Sequence, residues 1–450
     1  MVAGAALPLI GWLARAITAV FYRVDRAGSV PAAGPVLILP NHPNALLDPA
    51  VIWATAGRDT RFLAKSTLFT GAFAPILRGA AAIPVYRRLD QGVDASRNVE
   101  TFAAVESALA AGDAVCLFPE GISHSTGRLV PLRTGAARMA IGAERNGIQV
   151  TLVAVGLNFD RKTAFRSRVT VLYGQPFTVA DLARDAGDEP AAVRLATDRI
   201  AAQMRRLLVE ADPAGDAAMV SRVEQLYSAA RGRPGGPEDR VERRRAIALG
   251  IERLRTADPA RFEETALRLR RYDQRLRRFG LRDRHLDWDT SSRAALAFAA
   301  REGAIALLLL PVAVAGFVVF WAPYHVTGWL ARRATQERDV AATAKVFVGA
   351  AVYAVWLLLI AGAIAAAFGA IPALAVAVLM PLAAIAGLFA IERETAVLDT
   401  VRSWMLLRRA RHHSRARLKE TRTELAAVLD EIYEWLSAET RAPADGRTPN

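Results

Sequence analysis

The sequence predicts an α/β domain with a largely parallel sheet flanked by helices, followed by a helical hairpin and C-terminal membrane helices. Between Gly34 and Phe177 short apolar runs alternate with helical stretches, the pattern of strand and crossover. Those runs are apolar without interruption, as strands covered on both faces must be. Three long apolar stretches then crowd the C-terminal third, and they hold most of the excess behind a mean hydropathy of +0.19.

At the N-terminus, Met1 to Phe21 is apolar apart from Arg15, and Leu9, Trp12, Leu13, Ile17 and Phe21 recur at helical spacing. A secretory signal would place its charge ahead of the apolar run, and no cleavage site follows, so removal is not expected. Residues 1–29 read as a helix lying in a membrane interface, the alternative being a helix packed on the domain's own core. Residues 30–212 form the next region. Strands are expected over 36–39, 82–86, 114–118, 151–157 and 168–173, with helices over 46–56, 95–111 and 135–144. A further helix over 191–211 closes this region.

In such sheets reactive groups gather at the carboxyl ends of strands. The first strand breaks into Asn41-His42-Pro43-Asn44-Ala45-Leu46-Leu47-Asp48. A histidine can take and return a proton near neutrality, and a carboxylate on its other nitrogen fixes the tautomer, so the pair suits deprotonating a hydroxyl. Taken alone, His42 and Asp48 fit equally a loop histidine beside a helix-capping aspartate. Lys65 and Arg87, with Arg88 beside it, stand at element ends where cations can meet a phosphate. Phe118-Pro119-Glu120-Gly121 follows the Cys116 strand, and a glutamate held between proline and glycine suits hydrogen bonding to substrate hydroxyls. Arg133 lies shortly after, in Pro131-Leu132-Arg133-Thr134-Gly135.

In order, these stretches resemble the glycerophospholipid acyltransferase family typified by bacterial 1-acylglycerol-3-phosphate acyltransferases, over roughly residues 30–180. The resemblance implies His42 and Asp48 as a catalytic dyad, with Arg87 or Arg88 and the Glu120 and Gly121 of Phe118-Pro119-Glu120-Gly121 as glycerol-phosphate binders; Asn41, Lys65 and Arg133, read from their places beside these motifs, complete the expected substrate-binding positions. Two features depart from the bacterial pattern. Five residues separate His42 from Asp48 where that pattern has four, and the stretch 150–158 lacks the usual proline. The longer interval and the run from Phe118 to Ser125 are similar to yeast-type glycerol-3-phosphate and dihydroxyacetone-phosphate acyltransferases. Acylation of glycerol 3-phosphate or dihydroxyacetone phosphate is therefore the expected reaction, with lysophosphatidate as the alternative acceptor. A noncatalytic, membrane-anchored lipid-binding protein is the alternative of another class.

The chemistry asks for little beyond these groups. A thioester already carries a good leaving group, so no metal, cofactor or enzyme nucleophile is expected, only acyl-CoA or an acyl carrier protein as cosubstrate. Ser123 and Ser125 lack a Gly-x-Ser-x-Gly elbow, which argues against a serine hydrolase. Glu120 and His124 do not form a His-Glu-x-x-His site. Cys116, the single cysteine, rules out an internal disulfide and reads as a buried small residue.

Residues 213–239 read as a linker, with its clearest part from Arg231 to Pro237. Residues 240–300 read as a helical hairpin in which Phe262, Leu269, Tyr272, Leu276 and Phe279 form one apolar seam. A net charge of +14 draws the chain to anionic surfaces. Acids interleave with the arginines and no nucleic-acid reading module is present, so the expected surface is membrane lipid and no nucleic-acid partner is expected. Within the membrane region, 301–395, the stretches 346–367 and 373–390 read as a transmembrane hairpin around a neutral tip at 368–372. Basic residues flank it on both sides, Arg332, Arg333, Arg338 and Lys345 before and Arg402, Arg408, Arg409 and Arg411 after. That charge places both flanks, and the catalytic domain, on the cytoplasmic face. The stretch 304–321 carries Pro311 and Gly316 and reads as re-entrant or interfacial, the alternative being a true span. Residues 396–450 are expected to be a basic helix that packs back on the hairpin 240–279, with a disordered tail over 442–450.

Overall fold

The computed structural model describes the chain apart from residues 1–2, 71–73, 88–93, 212–213, 233–234, 279–280, 288–291, 335–340, 386–411 and 442–450. Arg88, Arg338, the end of the third apolar stretch, the basic run from Arg402 to Arg411 and the tail lie outside the described residues. The chain folds as two compact units. One comprises residues 1–217, 236–245 and 331–347, and the other residues 218–235, 246–330 and 348–450.

The first unit begins with α1 (Ala3–Phe21), β1 (Tyr22–Ala27), β2 (Val36–Pro40), α2 (Leu47–Thr55) and β3 (Thr60–Lys65). It continues through α3 (Ala74–Gly79), β4 (Ile83–Val85), α4 (Asn98–Ala110), β5 (Ala114–Cys116), α5 (Gly135–Arg145) and β6 (Thr151–Phe159). β7 (Ser167–Tyr173), α6 (Ala180–Asp185) and α7 (Glu189–Leu207) complete it. The strands form one sheet in the order β1-β7-β6-β2-β5-β3-β4. Every neighbouring pair is parallel except β6 with β7, whose connection over 160–166 is too short for a crossover.

Strand residues alternate between two cores, as a pleated sheet requires. Leu37, Leu39, Val115, Leu117 and Leu152 pack with residues of α4, α5 and α7. Val36, Ile38, Cys116, Val153 and Val155 pack with α1 and α2 on the other side. α7 starts cleanly because the Asp188 side chain accepts the Ala191 N–H at 2.6 Å, with Pro190 in the first turn. Its end closes on β6 at Gly156, where a Cβ would come within 2.3 Å of the Leu207 carbonyl oxygen.

Two strands lie beyond the five expected. β3 carries the Phe62-to-Lys65 cluster, and β1 occupies residues 22–27, so the interfacial segment expected over 1–29 is helical only to Phe21. β1 escaped notice because Arg23, Asp25 and Arg26 interrupt its apolarity. Edge strands tolerate such charges, and Asp25 here holds Arg168 at 3.2 Å and Arg240 at 2.5 Å. α1 is two-faced. Ala14, Thr18 and Phe21 are buried on the second core, whereas Leu9, Trp12 and Leu13 are exposed.

Helices make up the remainder: α8 (Ala214–Arg231), α9 (Pro237–Ala257), α10 (Pro259–Arg278), α11 (Ser292–Ala334), α12 (Ala341–Phe368), α13 (Ala370–Ile385) and α14 (His412–Arg441). In the second unit Tyr272 and Leu276 of α10 pack with Leu226 of α8 and with Leu418 and Leu425 of α14. Arg422 bridges this core, donating to Asp287 at 2.7 and 2.8 Å and to the Asp283 carbonyl at 3.0 Å.

Pro311 and Gly316 do not break α11, in contrast to the re-entrant reading of 304–321. A helix passes a proline where the freed carbonyl finds another donor. Pro323 shows the device: the Val319 carbonyl, which loses its helical partner there, accepts the Trp356 indole N–H of α12 at 3.0 Å. Thr343–Phe368 is long and apolar enough to cross a membrane. Gly369, with φ +92°, turns the chain from α12 into α13.

Candidate active site

β2, β5, β3 and β4 are consecutive and parallel in the sheet, so their carboxyl ends share one edge. The loops bearing His42, Glu120, Lys65 and Arg87 are therefore delivered to one place.

His42 Nδ1 lies 2.9 Å from Asp48 Oδ2. Asp48 stands in the first turn of α2, fully buried, and its Oδ2 also accepts the Asn44 backbone N–H at 2.7 Å. A carboxylate so placed accepts from a ring N–H at Nδ1, the tautomer that leaves Nε2 as the basic nitrogen. Burial pushes the Asp48 carboxyl above its ordinary value, opposed by its hydrogen bonds from His42 and Asn44 and by the charge of Lys162. Its Oδ1 is buried without a hydrogen-bond partner among the described residues. The His42 ring stacks on Phe118, with centroids 3.9 Å apart and planes at 19°. The histidine side chain is 18% exposed, and among the described residues nothing bonds its Nε2. An oriented imidazole with an open Nε2 is what a general base requires.

The five-residue interval between His42 and Asp48 is taken up in a turn where Leu47 N–H donates to the Asn44 carbonyl at 3.1 Å. Ala45 sits in that turn at φ +45°, a conformation that costs a residue with a Cβ about 1 kcal/mol relative to glycine. Ala45→Gly is expected to leave thermal stability unchanged or raise it slightly, a few degrees at most by calorimetry. A marked fall would show that Ala45 contributes packing that outweighs its strain.

Two residues that the sequence places on the substrate have other partners. The Asn41 amide oxygen accepts Leu157 N–H at 2.7 Å and its nitrogen donates to the Leu157 carbonyl at 3.2 Å, so this side chain clamps β2 to β6. Glu120 is 1% exposed. Its Oε1 accepts the His42 backbone N–H at 2.7 Å, and its Oε2 meets His124 Nε2 and the Val130 N–H. The His42 carbonyl in turn accepts His124 N–H at 3.1 Å. Glu120 braces the histidine loop from within, in a turn closed by Gly121 N–H on the Phe118 carbonyl at 3.0 Å.

Gly121 has φ +73°, and its carbonyl accepts Arg87 Nη1 at 3.1 Å. The exposed Arg133 side chain packs on it, since a Cβ at Gly121 would lie 3.1 Å from Arg133 Cγ. Arg87 and Arg133 thus flank the residue that follows the brace of His42, and half-buried Lys65 ends the strand between β5 and β4. This gathers cations at the sheet edge that also carries the open imidazole, an arrangement suited to an anionic substrate that carries a hydroxyl.

Other contributors were not among the expected site residues. Asn44 Nδ2 donates at 2.6 Å to the Tyr22 hydroxyl, which donates to the Lys162 carbonyl. Burial holds the Tyr22 phenol far above its ordinary value, so it remains a donor. Ser123 Oγ accepts Ala45 N–H at 3.0 Å. Asn44 and Ser123 could have been singled out from the sequence, by their places inside the His-to-Asp interval and the run from Phe118 to Ser125.

Residues 22–158 match the family model described as Acyltransferase, and residues 219–440 match the model of the Glycerol-3-phosphate acyltransferase 2 C-terminal domain. Among curated relatives, Glycerol-3-phosphate O-acyltransferase 2 of Saccharomyces cerevisiae is 39% identical over 84 residues, 18% of this chain and 11% of that protein. Glycerol-3-phosphate O-acyltransferase 1 of the same yeast is 26% identical over 249 residues, 53% of this chain and 31% of that protein. The matched part thus spans less than a third of either relative. The crystal structure of the 1-acyl-sn-glycerophosphate (LPA) acyltransferase from Thermotoga maritima is 17% identical, with a TM-score of 0.33 over 45% of this chain and 79% of that one.

Proposed function

Because this chain carries an acyltransferase domain over residues 22–158 and a glycerol-3-phosphate acyltransferase C-terminal domain over 219–440, we infer that it transfers a fatty acyl group from a thioester to glycerol 3-phosphate. The observation that carries the reading is the His42–Asp48 contact of 2.9 Å, held at a sheet edge that also bears Lys65 and Arg87. His42 Nε2 takes the proton of a glycerol hydroxyl as its oxygen attacks the thioester carbonyl. A C–O bond forms, the tetrahedral intermediate collapses, and the C–S bond breaks. The departing thiolate takes the proton back from the imidazolium, which Asp48 has stabilised meanwhile. General-base help of this kind contributes about 10² to 10⁴-fold, and alignment of the two substrates supplies the rest. Arg87, Arg133 and Lys65 hold the phosphate that sets the hydroxyl in line. The donor is acyl-CoA or an acyl carrier protein. The apolar span Thr343–Phe368 supports membrane attachment, with the catalytic unit on the cytoplasmic face where the flanking arginines favour it.

The test is an acceptor panel with the purified full chain and acyl-CoA: glycerol 3-phosphate, dihydroxyacetone phosphate, lysophosphatidate and unphosphorylated glycerol. Glycerol 3-phosphate is expected to give the highest kcat/KM, and glycerol to be used at least about 10²-fold less well, since it forfeits the charge-assisted contacts. Preference for lysophosphatidate would move the enzyme to the second acylation. Indifference to the phosphate would remove the role given to the cations.

A further inference from the structure

Lys162 stands in the loop between β6 and β7. Its ammonium donates to the Pro43 carbonyl at 2.7 Å and to Ser125 Oγ at 2.6 Å, tying the residue after His42 to the loop that follows Glu120. The Lys162 carbonyl accepts the Tyr22 hydroxyl and, at 3.4 Å, Asn44 Nδ2, while the Asn44 backbone N–H holds Asp48 Oδ2. One residue therefore grips the dyad's loop at two points, Pro43 and Asn44, between the base and its acid. The same loop is fixed from outside. Arg166 N–H donates to the Phe21 carbonyl at the end of α1 at 2.7 Å, and Lys345 Nζ at the start of α12 donates to the Thr163 carbonyl at 2.6 Å.

We propose that Lys162 is a positioning residue for the His42–Asp48 dyad, holding the loop between them and keeping a positive charge beside the pair. The proposal rests on the reading of that dyad as catalytic. Titratable groups face the dyad from several elements: Glu120 with its partner His124 from the loop after β5, Tyr22 from β1, Cys116 from β5 and Lys162 itself. Burial keeps Tyr22 and Cys116 protonated and neutral at ordinary pH. Glu120 is matched by hydrogen-bond donors, so Lys162 is the cation whose removal changes the local balance. The Lys162 charge opposes the burial that raises the Asp48 carboxyl, so deleting it lets that carboxyl keep its proton to higher pH.

The test uses the full chain in detergent with Lys162→Met, Lys162→Gln and Lys162→Arg. Two readouts are taken: acyl-transfer kinetics against pH, and titration of the His42 ring by NMR, with His42→Ala identifying its signal. The neutral variants are expected to lose roughly tenfold to a hundredfold in kcat, with KM for glycerol 3-phosphate within about threefold of wild type. The acidic limb of the rate profile and the midpoint followed at the His42 ring should both move up as the Asp48 carboxyl rises, and Lys162→Arg should restore both. An unchanged midpoint in the neutral variants overturns the proposal. So does a rise in KM with kcat preserved, which would make Lys162 a ligand of the acceptor. Failure of both neutral variants to fold, with Lys162→Arg intact, would make it purely structural and overturn the proposal as well. If the wild type transfers no acyl group, the catalytic reading fails by itself, and the midpoint comparison still decides whether Lys162 governs the charge of the pair.

Discussion

Acyl transfer by His42→Ala is expected to fall by about 10² to 10⁴-fold, and Asp48→Asn to fall as far while the fold keeps its stability. The alanine variant removes the base outright. The asparagine variant leaves the imidazole in place but turns a two-acceptor carboxylate into an amide whose NH2 favours the wrong tautomer when it faces the ring, and a neutral amide cannot balance the imidazolium formed as the hydroxyl attacks. Stability follows the other sign. Burial raises the Asp48 carboxyl above its unfolded value, so the folded state keeps this proton to higher pH than the unfolded chain does. Below the unfolded value, about 3.9, the carboxyl is neutral in both states and its burial carries no charge penalty. As pH rises past that value the penalty grows, and it is complete above the raised folded value. At neutral pH Asp48→Asn removes the penalty, so its Tm is expected to match or exceed wild type. Kinetics with purified variants and calorimetry at pH 7 decide the matter. Activity retained within about tenfold would falsify the dyad, and a clear drop in Tm for Asp48→Asn would show that its hydrogen bonds outweigh its desolvation.

Glu120→Ala should be damaging in both respects. Its carboxylate serves three donors, the His42 backbone N–H, His124 and the Val130 N–H, and the side chain is almost wholly buried. Truncation leaves polar groups stranded, a loss of about 2–4 kcal/mol in stability. It also frees the backbone of His42, and small misplacements of a general base lower rates by about 10²-fold. The kinetic signature separates two roles for this residue. A brace acts on kcat and leaves KM for glycerol 3-phosphate nearly unchanged, whereas a ligand of substrate hydroxyls acts on KM. Glu120→Gln, which keeps one acceptor oxygen, should fall between wild type and alanine in both Tm and kcat. A variant with normal Tm and a KM raised about tenfold or more would return Glu120 to the substrate.

Periodicity and short motifs alone located the central strands, the helices between them, the loop with His42 and Asp48, and the cations that share its edge of the sheet. Each of these rests on residues close together in the chain: an apolar run, a breaker, a histidine six positions from an aspartate. The limits have the same origin. β1 is hidden by Arg23, Asp25 and Arg26, and the Asp25 charge is matched by Arg168 and Arg240, which arrive from elsewhere in the chain. Asn41 and Glu120 look outward-facing in a motif, and no local pattern could say that Leu157 and the His42 backbone would occupy them. Tyr22, Lys162 and Thr163 belong to no pattern whatever.

What the chain carries in its own order is the chemistry, namely which side chains can move a proton or meet a phosphate and in which loops they stand. Which of them brace the loop, and how Asp48 is buried against His42, were decided by partners far apart in the chain. Hydrogen-bond capacity is a property of a residue, but its use depends on which distant backbone the fold brings within about 3 Å.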